Sequence, residues 1–201
     1  MKQNKVIGLT GSIATGKSSA TNIIKSLGYP VIDADLIARD IVKDEKVIKE
    51  IKSFFGEDIY NQGDLNRDRL GKIIFESLEK REVLNNITHP AIYNEIKKRI
   101  KEEKSGIIFL DIPLLIETLQ SIKEYKLDLD EIWLVYIPKE TQVTRLMLRD
   151  NISREYAEEK ISSQISVEDK KEYADIVLNN LTNLEDLEKN IKDEIEKLKN
   201  R

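Results

Sequence analysis

Apolar residues along this chain recur with two alternating periods. Short apolar runs at Lys5 to Thr10, Pro30 to Ile32, Gly106 to Asp111, Glu131 to Ile137 and Ala174 to Leu178 are separated by segments in which apolar positions return every three or four residues. Buried strands alternating with amphipathic helices predict a parallel sheet covered by helices on both faces, which is the α/β class. Lys17 to Leu27 reads as the first helix, closed by Gly28, the residue type that most easily takes the left-handed turn after a helix. The last helix, Leu184 to Leu198, carries Leu184, Leu187, Ile191, Ile195 and Leu198 on one stripe, a spacing that predicts core packing.

The interval between the second and third strands shows no strand pattern. Leu36 to Val42, Val47 to Phe55, Arg67 to Phe75, Val83 to Ile87 and Ala91 to Ile100 all read as helices, broken by Gly56, by Asn61-Gln62-Gly63 and by His89-Pro90. A parallel crossover needs only about a dozen residues, so 36–105 is an inserted helical subdomain in a core built from 1–35, 106–145 and 173–201. Such insertions sit at the carboxyl ends of sheet strands, where ligands bind in α/β folds. Ser153 to Ile165 is polar, with Arg154 and Lys160 among its charges, and 146–172 reads as a small mobile lid rather than core.

Composition narrows the classes. At 201 residues the chain holds one substantial core with appendages rather than two full domains. A net charge of -4 supplies no field that would draw it to nucleic acid or an anionic membrane. Without cysteine, neither disulfides nor thiolate metal sites can form. No stretch reaches the roughly 18 apolar residues that span a bilayer, and the first residues lack a signal-peptide core. The expectation is a monomeric cytoplasmic protein.

The chemistry is concentrated after the first strand. Gly11-Ser12-Ile13-Ala14-Thr15-Gly16-Lys17-Ser18 fits the G-x-x-x-x-G-K-[ST] phosphate loop, in the required strand-to-helix context. Gly11 and Gly16 let the backbone approach a polyphosphate, Lys17 brings a point charge to it, and the Ser18 hydroxyl suits Mg²⁺. The following helix aims its positive end at the same anion. The chain therefore binds ATP or GTP.

Asp33 and Asp35 leave the second strand at its ligand-binding end. One suits orienting an acceptor hydroxyl and taking its proton; Asp35 also suits the N-cap of the helix that follows. Asp111, ending the third strand, stands where a Mg²⁺-holding acid is expected. No Asp-Glu pair follows it, and neither a D-x-x-G loop after one of these strands nor N-K-x-D is present, which favours ATP over GTP and transfer over hydrolysis. Arg145 and Arg149 are four apart on the helix after the fourth strand. They share a face that can neutralise the charge of a transferring phosphoryl group, or they form a solvated pair with Asp150 and Glu155.

Taken together, Gly8-Leu9-Thr10-Gly11, Ile32-Asp33-Ala34-Asp35 with Ala38-Arg39, Leu65-Asn66-Arg67, His89-Pro90, Leu110-Asp111-Ile112-Pro113-Leu114-Leu115 with Glu117, Gln142 with Arg145-Leu146 and Arg149, Ser163-Gln164 and Ala174-Asp175 with Asn179 resemble the dephospho-coenzyme A kinase family over nearly the whole chain. The resemblance implies ATP-dependent phosphorylation of the ribose 3′-hydroxyl of dephospho-coenzyme A with Mg²⁺. It implies Asp33 as base, with Lys17, Arg145 and Arg149 on the phosphates, and Asp35, Arg67 and His89 toward the acceptor. It also implies Ser18 and Asp111 toward the metal. Ser12, Ala14 and Thr15 depart from the family's usual Gly-Gly-Ile-Gly-Ser-Gly-Lys, and Asn66 replaces a usual Asp. Another small P-loop kinase shares the core, and a non-catalytic nucleotide switch shares the loop; acceptor-dependent ADP release separates these readings.

Overall fold

The structure, a computed structural model, describes residues 4–61 and 63–200. In chain order its elements are β1 (Lys5–Gly11), α1 (Lys17–Ser26), β2 (Val31–Asp33), α2 (Ala34–Ile41), α3 (Glu45–Phe55), β3 (Tyr60–Asn61), β4 (Asp64–Leu65), α4 (Arg67–Glu76) and α5 (Leu78–Glu102). Then follow β5 (Ile107–Asp111), α6 (Leu119–Glu124), β6 (Glu131–Tyr136), α7 (Lys139–Asp150), α8 (Arg154–Ser162), α9 (Val167–Lys170), β7 (Ile176–Asn179) and α10 (Leu184–Lys199). Two compact units result, one of Met1–Ile32 with Glu102–Arg201 and the other of Asp33–Lys101.

The first unit is built on a five-stranded parallel sheet in the order β2-β5-β1-β6-β7. Ile7, Leu9, Phe109, Trp133 and Val135 point to one face and are buried there by Ala20 and Ile24 of α1 and by Leu187, Ile191, Ile195 and Leu198 of α10. Each such side chain withdrawn from water contributes about 1.5–3 kcal/mol. Phe109 and Trp133 meet edge to face at 5.2 Å. Gly8 faces the other way, where a Cβ would lie 2.6 Å from Leu115 Cδ1, so the strand passes that close only without a side chain. The register sets Leu9 beside Asp111 on β5, which brings the acid to within two residues of the loop's first glycine.

Spacing misplaced one residue of the α10 stripe. Leu184, expected in the core, is 61% exposed: it is the helix's first residue, one turn before Leu187, where the buried stripe begins. Within the segment read as a lid, Ala157 and Ile161 of α8 are buried against Val143 and Leu146 of α7, so one face of this helix is apolar and packed. Its basic side chains are committed to carboxylates, Arg154 to Glu140 and Glu158, and Lys160 to Asp150.

The second unit has its own apolar centre of Val42, Val47, Ile51, Ile59, Tyr60, Leu70 and Ile87. The break expected at His89-Pro90 is absent, and α5 runs through Pro90. An interior proline costs about 3 kcal/mol, yet Ile87 before it and Ala91 after it both pack on this centre, and ending the helix would expose one of them. Nor is the insertion wholly helical. Tyr60 pairs with Leu65 and Asn61 with Asp64 in an antiparallel ribbon; strands of two residues have no period to read. Gln62 of that turn lies outside the described residues. Among the described residues no helix is long and apolar enough to cross a membrane.

Candidate active site

Between β1 and α1 the chain turns through residues 12–16. Gly16 sits at the cap of α1 with φ +89°, a conformation that L side chains resist. A Cβ there would also lie 2.1 Å from Asn180 Nδ2. Ala14 takes φ +62°, so this loop holds a left-handed residue without glycine, the residue type that relaxes it.

Carbonyl oxygens decide what such a loop can bind, because each one facing an anion repels it. Here they are held by donors. Lys170 Nζ donates to Gly11 O at 3.2 Å, and Asn180 Nδ2 donates to Thr15 O at 2.8 Å. The Thr15 N–H and hydroxyl donate to Ser12 O at 3.2 and 2.9 Å, and the Ser19 and Ala20 N–H groups donate to Gly16 O at 2.9 and 3.2 Å. The N-terminal N–H groups of α1 then dominate the local field, which is that of an anion site.

That field opens onto a cleft of about 610 Å³ lined by the loop, by Arg145 and Arg149 of α7, and by Asn180, Thr182 and Leu184 around β7 and α10. Lys17 pairs with Asp111 Oδ1, and Thr21 Oγ1 donates to Asp111 Oδ2 at 2.7 Å. Asp111 is only 4% exposed, so its charge depends on these two partners. Arg145 Nη2 donates to Asn180 O at 2.9 Å. Arg149 meets Asp150 with two hydrogen bonds of 2.7 and 3.2 Å, which hold the guanidinium above its ordinary value and the carboxyl below its own. The two arginines thus line one cleft, and Arg149 is paired with Asp150.

The remaining candidates belong to the second unit. The helix after β2 begins at Ala34, and its N-cap is Asp33, whose Oδ1 accepts from Leu36 N at 3.0 Å. Capping thus falls to the residue assigned as base, and Asp35 lies in the first turn. The physical reason is one of position: Asp33 keeps extended backbone at φ -92°, ψ 112°, as a cap must. Arg67 Nη2 donates to Arg39 O at 3.2 Å. Tyr60 titrates above its ordinary value because it is buried, an effect offset in part by Arg67. His89 stacks edge to face on Tyr93 at 6.1 Å.

Two partners of the loop, Lys170 and Asn180, and one of Asp111, Thr21, escaped the sequence reading. Thr21 lies one turn beyond the motif, Asn180 is one of two asparagines after β7, and Lys170 sits in a lysine- and glutamate-rich run with no pattern to single it out. Only the adjacency of Asn179-Asn180 to a strand's carboxyl end offered a signal.

The chain is similar to known proteins over nearly its whole length. The Dephospho-CoA kinase family model matches residues 5–186. A dephospho-CoA kinase of Listeria monocytogenes is 44% identical over 193 residues, covering 93% of this chain and 94% of its own. Among solved structures, a Thermus thermophilus protein superposes with a TM-score of 0.81 at 33% identity, covering 98% of this chain and 99% of its own. A dephospho-CoA kinase from Campylobacter jejuni does so at 0.64 and 31%, covering 96% and 97%. A phosphate loop whose carbonyls are tied back, an acid ending the adjacent strand and a match that runs nearly end to end converge on one assignment: the chain belongs to the dephospho-CoA kinase family.

Proposed function

We propose that this chain transfers the γ-phosphoryl group of ATP to the ribose 3′-hydroxyl of dephospho-coenzyme A, giving coenzyme A and ADP. The observation that carries the reading is the phosphate loop, whose carbonyls are drawn back by Lys170, Asn180 and Thr15 beside a cleft that Arg145 lines. Family membership supplies the acceptor. The 3′-oxygen attacks the γ-phosphorus, the bond to the β,γ-bridging oxygen breaks, and Asp33 takes the hydroxyl proton. Asp33 suits this role because its Oδ1 is held by Leu36 N, which fixes the carboxylate while the other oxygen accepts. A loose phosphoryl transition state asks more of charge neutralisation than of the base, and Lys17 and Arg145 supply that charge. Lys17 must exchange Asp111 for the phosphates when ATP enters. Asp35, Arg67 and His89 orient the acceptor.

Mg²⁺ would enter with the nucleotide. Ser18 would ligate it. Asp111, whose Oδ1 is released by Lys17 while Oδ2 keeps Thr21, would hold it directly or through water. When bound, the ion neutralises the β- and γ-phosphate oxygens.

The test is acceptor-dependent ADP formation, measured with dephospho-coenzyme A, shikimate and nucleoside monophosphates in parallel. Turnover with dephospho-coenzyme A alone is expected. Turnover of another acceptor with none of dephospho-coenzyme A refutes the reading, and ADP formation without any acceptor refutes transfer.

A further inference from the structure

Lys170 is 0% exposed, and a buried lysine is a costly way to fill space. Its Nζ makes an ion pair with Glu117 Oε1 at 2.8 Å and donates to Gly11 O at 3.2 Å. Glu117 Oε1 also accepts from Ile165 N at 3.3 Å, while Oε2 is buried without a partner. A charge pair of this kind is often matched or exceeded in stability by apolar residues of similar volume, so packing alone does not account for it. The lysine's second contact is informative, because it falls on the first glycine of the phosphate loop rather than on the core. From the same short segment, Gln164 Oε1 accepts from Ile13 N at 3.2 Å. The loop is therefore gripped on either side of Ser12, whose own hydroxyl is buried without a partner and anchors nothing.

We infer that Lys170, neutralised by Glu117 and seconded by Gln164, is a positioning residue that clamps the phosphate loop in its anion-binding shape. It draws the Gly11 carbonyl out of the cleft before nucleotide arrives. Lys170 itself is fully enclosed and lies apart from the cleft lining, so it acts through the backbone and not on the phosphates. Because residues 164–170 directly follow α8, the clamp also makes the loop's shape depend on how that segment is seated. The inference rests on the nucleotide reading above and deepens it by naming what preorganises the loop.

Lys170→Met alone would strand the Glu117 carboxylate, so the informative protein is the full chain with Lys170→Met and Glu117→Leu together, uncharged and close to the original volume. The melting temperature without nucleotide is expected within a few degrees of the parent. The Kd for ADP, by calorimetry, should rise about ten- to a hundredfold, the range for losing a charge-assisted hydrogen bond, with kcat at saturating ATP changed far less. Hydrogen exchange should accelerate in residues 11–16 and not across the sheet, which a merely structural role would not produce. Lys170→Arg, which keeps the charge, should recover part of the affinity. An ADP affinity equal to the parent's overturns the clamp, as does a loss of exchange protection spread evenly over the unit. Should the double variant not fold, Gln164→Leu tests the other arm without disturbing a buried charge, and unchanged Kd and loop exchange there overturn the inference equally. A parent chain that binds no ADP overturns the nucleotide reading and removes the clamp's purpose, a result distinguishable because no variant is involved.

Discussion

Replacing Gly16 by alanine should cost the fold much less once Asn180 has been shortened to alanine. Two penalties act at Gly16. Its φ of +89° costs an L residue about 1–2 kcal/mol, reduced by about 0.4–1 kcal/mol because alanine loses less chain entropy on folding. The new Cβ would also lie 2.1 Å from Asn180 Nδ2, so the amide must swing away and release Thr15 O, which it meets at 2.8 Å. Thr15 is fully buried, and an abandoned buried acceptor costs about 1–3 kcal/mol. Asn180→Ala on its own incurs that second penalty and no other. In the double variant it is incurred once, although each single variant incurs it, so the two substitutions together should destabilise by about 1–3 kcal/mol less than their sum. Urea unfolding followed by fluorescence measures this directly, because Trp133 is the chain's one tryptophan and is fully buried in the unit that holds both residues. Additivity within about 0.5 kcal/mol would show that Asn180 does not brace the loop.

Other consequences follow from the same geometry. Lys17→Met removes the loop's point charge and strands the buried Asp111, so kcat/KM for ATP should fall by about 10²–10³ and the urea midpoint should drop; an unaltered rate with a lowered midpoint would reduce Lys17 to a structural counter-ion. Asp33→Asn keeps the cap on α2, since asparagine caps as well as aspartate, yet should lower kcat by about 10²–10⁴ with ADP affinity unchanged. Unchanged kcat at saturating acceptor would mean that the proton goes elsewhere. Glu168 is held below its ordinary value of 4.5 by hydrogen bonds from Lys171 and Tyr136. A depressed carboxyl contributes stability that is present above 4.5 and lost as pH falls through its lower folded value. Urea midpoints of the parent and Glu168→Gln, measured from pH 7 to pH 3, should therefore differ slightly at neutrality and converge in acid, the gap being small because the pair is solvent-exposed. A gap that widens in acid would contradict the pairing.

Much of the site was legible because it obeys local rules. A phosphate loop is a contiguous octapeptide, and its strand and helix have periods that eleven or so residues reveal. The acid at the end of β5 could be placed by counting along one apolar run. Asp33 could be chosen as a site residue, but which of the two neighbouring acids caps α2 depended on backbone angles at the strand's exit. Leu184 obeyed the helical period and still left the core, since a period says which residues share a face and not where along the helix the buried stripe begins. The continuation of α5 through Pro90 is the opposite case, where burial on both sides outweighed a strong local signal.

The order of residues in this chain was enough to determine an α/β core, a nucleotide loop, a long insertion and the family, because these depend on short-range period and contiguous motif. What holds the loop in shape was decided only in three dimensions. Lys170, Asn180, Gln164 and Glu117 are scattered over more than sixty positions, and the bonds that tie Lys170 to Gly11, Asn180 to Thr15, the Ile13 N–H to Gln164 and Glu117 to Lys170 exist because the fold brings these distant segments together beside the loop. Hydrogen bonds reach about 3 Å whatever their separation along the chain, so a loop whose shape depends on them is specified by topology as much as by its own eight residues.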